Sequence, residues 1–202
     1  MVYGRAGEEV LYFSAHGFEP IVIPGVSSAL AAPTFAGIPV TQRGVAESFI
    51  VCTGVGRHGK EVKLPGYDRG RTLVILMGVA RLAQVLSGLQ EELTNETERL
   101  SKRDGPAFPA NTPIAIIERG SMPDQRVITS TLQNIAAALE SVGEQRPPGM
   151  IVVGWSVLAL WGKGDVNVLD EGSFKDDERI RRWLDDTPWR VKEGLDVGWD
   201  AL

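Results

Sequence analysis

Cysteine is nearly absent from this 202-residue chain. Cys52 stands alone, so no internal disulfide framework can form, and no Cys/His cluster has the spacing of a metal site. No structural metal is expected. Apolar runs long enough to cross a bilayer are missing, as is any basic leader followed by an apolar stretch and a cleavage site. A cytoplasmic protein is the expectation. Positive charge is also short: 21 Lys and Arg face 26 Asp and Glu, and a net charge of -5 argues against nucleic-acid or anionic-membrane partners. A local basic pocket stays allowed. Internal repeats and low-complexity segments are lacking too.

What is present is the alternation of an α/β protein. A helix is predicted from Glu8 and Glu9, whose carboxylates suit a helix N-terminus, through Leu11 and Phe13 to His16, with Gly17 as its stop. Pro20 to Pro24 reads as a short strand, Ser28 to Phe35 as a helix interrupted by Pro33, and Ser48 to Thr53 as a strand. Thr72 to Met77 is apolar enough for a strand buried on both faces. Val79, Leu82, Leu86, Leu89 and Leu93 then recur at helical spacing. Pro113 to Glu118, Gln125 to Thr129 and Met150 to Val153 read as further strands, and Leu132, Ile135 and Leu139 as a helical stripe. From Glu171 onward charges of both signs surround Trp183, Trp189 and Trp199, and Ile180, Trp183 and Leu184 predict a surface helix followed by an arm.

Gly54 to Lys60 (GVGRHGK) fits two phosphate-loop patterns after a predicted strand. Glu61 stands where a magnesium-binding Ser or Thr is needed, and Pro65-Gly66 breaks any helix that would face the phosphates. A basic surface loop is the better reading.

Five segments read together are more specific: YGRAGEE, VIPGVSSALAAPTFAGIPVTQRG, SFIVCTG, TLVILMG and IIERGSMPDQRVITSTL. In this order they resemble the tetrapyrrole methylase family, in particular its uroporphyrinogen-III C-methyltransferase branch, from residue 2 to about residue 160. The resemblance implies an α/β fold of the class III methyltransferase type: a C-terminal domain with a mixed sheet at 40–170, a remnant of the N-terminal domain at 1–39, and a charged extension at 171–202. It also implies S-adenosyl-L-methionine as cofactor, uroporphyrinogen III or a related tetrapyrrole as substrate, a homodimer, and a place in siroheme biosynthesis.

Carried over residue by residue, the resemblance points to Val2, Ser27, Ser28, Met77, Gly78 and Gly120 for the cofactor. Ser27 or Ser28 can cap a helix whose N–H groups suit a carboxylate, and Met77-Gly78 closes a buried strand at its carboxyl end, where open sheets place ligands. Each has a plain alternative: an N-cap, a core methionine, a turn glycine. Arg5, Arg43 and Arg126 are the candidates for the substrate's carboxylates, because guanidinium pairs bidentately with them; Arg57 and Lys60 are weaker ones. A solvated surface charge is the alternative for each.

The family's glycine-rich first loop and its G-G-D-P segment are not in this sequence, so a truncated N-terminal domain is expected and no catalytic residue is carried over. Little or no activity is expected of these 202 residues, the other reading being an inactive dimerising or cofactor-sensing module. Val22, Leu30 and Phe35 are expected to form an apolar patch where the remnant lacks a partner.

Overall fold

A computed structural model describes residues 2–60, 62–91 and 102–195. The strands are β1 (Ser48–Thr53), β2 (Leu64–Pro65), β3 (Arg71–Leu76), β4 (Arg103–Asp104), β5 (Pro113–Glu118), β6 (Arg126–Thr131), β7 (Gly149–Val153) and β8 (Trp189–Glu193). The helices are α1 (Ala6–Ala15), α2 (Ser28–Phe35), α3 (Leu82–Gln90), α4 (Ile135–Ser141) and α5 (Asp176–Leu184). Six strands make one mixed sheet in the order β1-β3-β7-β5-β6-β8, while β2 and β4 pair separately. Only β1 and β3 run parallel within the larger sheet; its other pairings are antiparallel.

Side-chain alternation divides the core into two layers. Leu73, Ile75, Ile116, Ile128 and Ile151 point to one face, where Leu82, Val85 and Leu89 of α3 and Ile135 and Leu139 of α4 cover them. Val74, Ala115, Ile117, Val127 and Val152 point to the other, beneath Ala29 and Ala32 of α2, Trp155, and Trp183 and Leu184 of α5. Both faces are covered, which is why β3 and β5 tolerate nearly continuous β-branched sequence. The three-layer α/β architecture is the one expected.

Three expectations change. Ile21, Val22 and Ile23 form no strand and are 90%, 47% and 84% exposed. Their β-branched run has no neighbouring strand to bond, and propensity alone does not hold a strand. The segment from Glu171 is no arm: α5 packs into the core and β8 adds five residues to the sheet by pairing with β6. Its sequence Trp-Arg-Val-Lys-Glu alternates with period two, which the surrounding charge disguises. Beyond Val79, a 3-10 turn (Val79–Arg81) precedes α3. Leu93 and Trp199 lie outside the described residues.

The remnant at the N-terminus both leans on the sheet and exposes apolar surface. α2 is anchored by Ala29 and Ala32, whereas α1 buries no residue. Val22 and Leu30 are exposed and Phe35 is half-buried; Leu11, Phe18, Ile21, Ile23 and Val26 extend the exposed set well beyond the expected patch.

Candidate functional site

Pairing of β7 antiparallel to both β3 and β5, and of β1 parallel to β3, brings the carboxyl ends of β1, β3 and β5 to one edge of the sheet. One register row crosses there: Thr53, Leu76, Met150, Ile117, Val127 and Lys192 follow one another strand by strand. Met77 and Arg119 each lie one residue past their strand, with φ of 58° and 51°. Left-handed backbone costs a non-glycine residue about 1–2 kcal/mol. Two such residues on one edge, two strands apart, mark where the chain accepts strain, and strain of this kind collects at ligand sites.

The reversal at Met77 leaves its side chain 51% exposed and turns Gly78 back beneath the sheet's end. A Cβ on Gly54 would meet the Gly78 Cα at 2.6 Å, so glycine is needed there for β1 and β3 to close together. Met77, Val79, Glu118, Arg146 and Pro147 line an open groove of about 750 Å³.

Gly120 stands about 10 Å from Met77, the width of two strand spacings. It serves helix packing: an added Cβ would lie 2.5 Å from the Ala32 Cβ on α2. Through this contact α2 is pinned to the same edge. Its N-cap, Ser27, accepts a hydrogen bond on Oγ from the Ala29 N–H at 3.2 Å, and Ser28 is the first, exposed helical residue. Ser27 and Ser28 sit about one turn and a bit from Ala32 along α2. They do not line the Met77 groove.

Val2 is exposed next to Tyr3, whose hydroxyl donates to the Val51 carbonyl at 3.2 Å and ties the first residues to β1. Burial, then the neighbouring Cys52, raises the Tyr3 phenol above its ordinary value, and burial pushes the Cys52 thiol up to about 12. Arg5 pairs with Glu8 on the surface of α1, its side chain 82% exposed. Arg43 is exposed in the turn bridged by Gln42 and Ala46.

Arg126 is corrected. Its side chain is 2% exposed, Nε donates to Glu118 Oε2 at 2.6 Å, and Nη1 and Nη2 donate to the carbonyls of Val142 and Glu144 at 3.0 and 2.8 Å. With each nitrogen engaged inside the protein, it has nothing to offer a carboxylated substrate. Sequence reasoning missed its partner: Glu118 ends an otherwise apolar strand, is 1% exposed, and accepts from the Arg146 N–H at 2.9 Å. The pair fixes the loop that walls the Met77 groove. A charge closing the run Pro-Ile-Ala-Ile-Ile was the available signal.

The Gly54 to Lys60 loop folds onto α3's entrance, where Arg81 Nη1 donates to the Gly59 carbonyl at 2.8 Å. A three-residue 3-10 turn, Arg57–Gly59, occupies it, and the next described element is β2, so no helix N-terminus faces it among the described residues. No helix among them is long and apolar enough to cross a membrane.

The family model of the Tetrapyrrole (Corrin/Porphyrin) Methylases matches residues 1–136, and the chain belongs to that family. A probable uroporphyrinogen-III C-methyltransferase of Schizosaccharomyces pombe is 44% identical over 159 residues, covering 79% of this chain and 29% of the relative. The uroporphyrinogen-III C-methyltransferase of Methanocaldococcus jannaschii is 42% identical, covering 79% and 61%. The crystal structure of uroporphyrin-III C-methyl transferase from Thermus thermophilus complexed with S-adenyl homocysteine superposes with a TM-score of 0.56 at 34% identity, covering 78% of this chain and 62% of that one. The chain therefore spans between about a third and three fifths of the length of these relatives.

Proposed function

We propose that this chain forms one wall of an S-adenosyl-L-methionine-dependent methyltransferase cleft that acts on uroporphyrinogen III or a related tetrapyrrole. The observation that carries the reading is the gathering of Met77, Gly120 and the α2 N-terminus on one sheet edge in a member of this family. The residues suit the cofactor. An exposed thioether beside an open groove offers apolar surface to an adenosyl group, and a helix N-terminus offers N–H groups to its carboxylate. When bound, S-adenosylmethionine supplies an electrophilic methyl group. In this reading Ser27 and Ser28 orient the amino-acid end, Met77 and Gly78 shape the adenosyl side, and Val2 borders the entry. Gly120 acts by holding α2 in place. Arg5 and Arg43 remain the arginines for substrate carboxylates.

Exposed Leu11, Phe18, Ile21 and Ile23 support burial against a further part of the methylase or a second copy in a homodimer. No residue here is assigned proton transfer, so little turnover is expected from these residues alone. Calorimetric titration with S-adenosylhomocysteine tests the proposal. Saturable binding by the wild type, weakened at least about tenfold in Met77→Asp by the buried like charge it brings to the groove, is expected. Binding without methylation of uroporphyrinogen III fits a sensing module; no binding at all removes the cofactor assignment.

A further inference from the structure

A second cavity, of about 670 Å³, lies on the α2 face of β6 and β8 and falls within the size range of small-molecule sites. The register pairs Thr129 with Arg190 and Val127 with Lys192, so both cations stand on the face that Val127 shares with the core. Trp161, 52% exposed, forms one wall, and the Arg190 guanidinium stacks over its ring at 4.1 Å. Trp183 and Leu184 of α5 close another side. The carboxylate of Asp185 pairs with Arg190 Nη2. Arg190 Nη1 is buried and makes no hydrogen bond.

An orphaned guanidinium donor in a Trp-walled cavity calls for one chemistry: a flat apolar body carrying an anionic oxygen. The oxygen satisfies Nη1, and the body lies against Trp161 and Leu184. We propose that this cavity binds an aromatic carboxylate, at a site separate from the Met77 groove. The cavity is built by α5, β8 and the turn at Trp161, all beyond the residues that the family model matches. It is thus an attribute of this chain's own C-terminal part. The argument does not depend on the methyltransferase reading.

Calorimetric titration of the 202-residue chain with 2-naphthoate, and with the neutral 2-naphthylmethanol, provides the test. One saturable site for naphthoate, binding the alcohol at least about tenfold more weakly, is expected from loss of one charge-assisted hydrogen bond. Arg190→Gln should bring naphthoate down to the level of the alcohol, and Trp161→Ala should weaken both ligands. Saturating S-adenosylhomocysteine should leave naphthoate binding unchanged. Equal affinity for acid and alcohol, wild-type affinity in Arg190→Gln, displacement by S-adenosylhomocysteine, or no saturable binding would each overturn the proposal. Circular dichroism matching the wild type shows that either variant has kept its fold.

Discussion

Replacing Arg126 by methionine removes the positive half of a buried ion pair while keeping a side chain of similar length. In the wild type the two side chains are 2% and 1% exposed and 2.6 Å apart. Deleting one partner of such a pair costs about 3–5 kcal/mol, because the other charge stays buried without compensation. Here Glu118 would keep only the Arg146 N–H, and the carbonyls of Val142 and Glu144 would lose their donors. Domains of this kind are stable by about 5–15 kcal/mol, so a large part of the total is at stake. Glu118→Met should cost a similar amount. The double variant removes both charges and leaves neutral groups unpaired, each worth about 1–3 kcal/mol, so its loss should not exceed that of either single variant. Urea unfolding followed by far-UV circular dichroism measures all three. Losses that simply add, or an Arg126→Met variant within about 1 kcal/mol of wild type, would refute the view that these residues act as one structural unit.

Gly120→Ala should destabilise by about 1–3 kcal/mol through overpacking, since its Cβ would lie 2.5 Å from that of Ala32; thermal unfolding at unchanged S-adenosylhomocysteine affinity would show that α2 had not moved. Arg179, 3% exposed, joins Asp165, Glu171 and Asp176, and Arg179→Met should lower stability by about 3–5 kcal/mol in the same unfolding assay. Cys52 should react slowly with a thiol reagent at pH 8, because burial lifts its thiol from an ordinary 9.0 to about 12. Between those values the folded chain keeps a proton that the unfolded chain releases, so stability is whole below pH 9 and falls as pH rises through the window; the same unfolding measured at pH 8 and pH 11 checks the sign. Ile21→Lys with Ile23→Lys should reduce binding of an apolar fluorescent dye without changing the unfolding midpoint, given that both side chains are almost wholly exposed.

Strands β3, β5 and β7 were legible in the sequence because burial on both faces leaves continuous apolar runs that few other structures accommodate. Ile21 to Ile23 carry the same kind of run and form no strand, since pairing is a property of neighbours and not of the segment. The sheet edge as a ligand site was legible at Met77, but its left-handed backbone was not: nothing in the residue type announces a positive φ. Arg126 read as a substrate arginine because sequence reveals charge and conceals depth. Its burial depends on Glu118 and on two carbonyls from a loop that the local pattern does not place. The strand β8 was hidden by Lys, Arg and Glu, residues that an outermost strand carries on its open side.

That last strand has a bearing on biogenesis. β8 is translated more than fifty residues after β6, whose outer backbone groups it satisfies. While the ribosome still holds the later segment, β6 presents a raw rim to any other extended polypeptide nearby. Prolonged pausing between the two codon stretches should therefore favour capture by chaperones or pairing between nascent chains, a hazard relieved the moment the terminal strand docks.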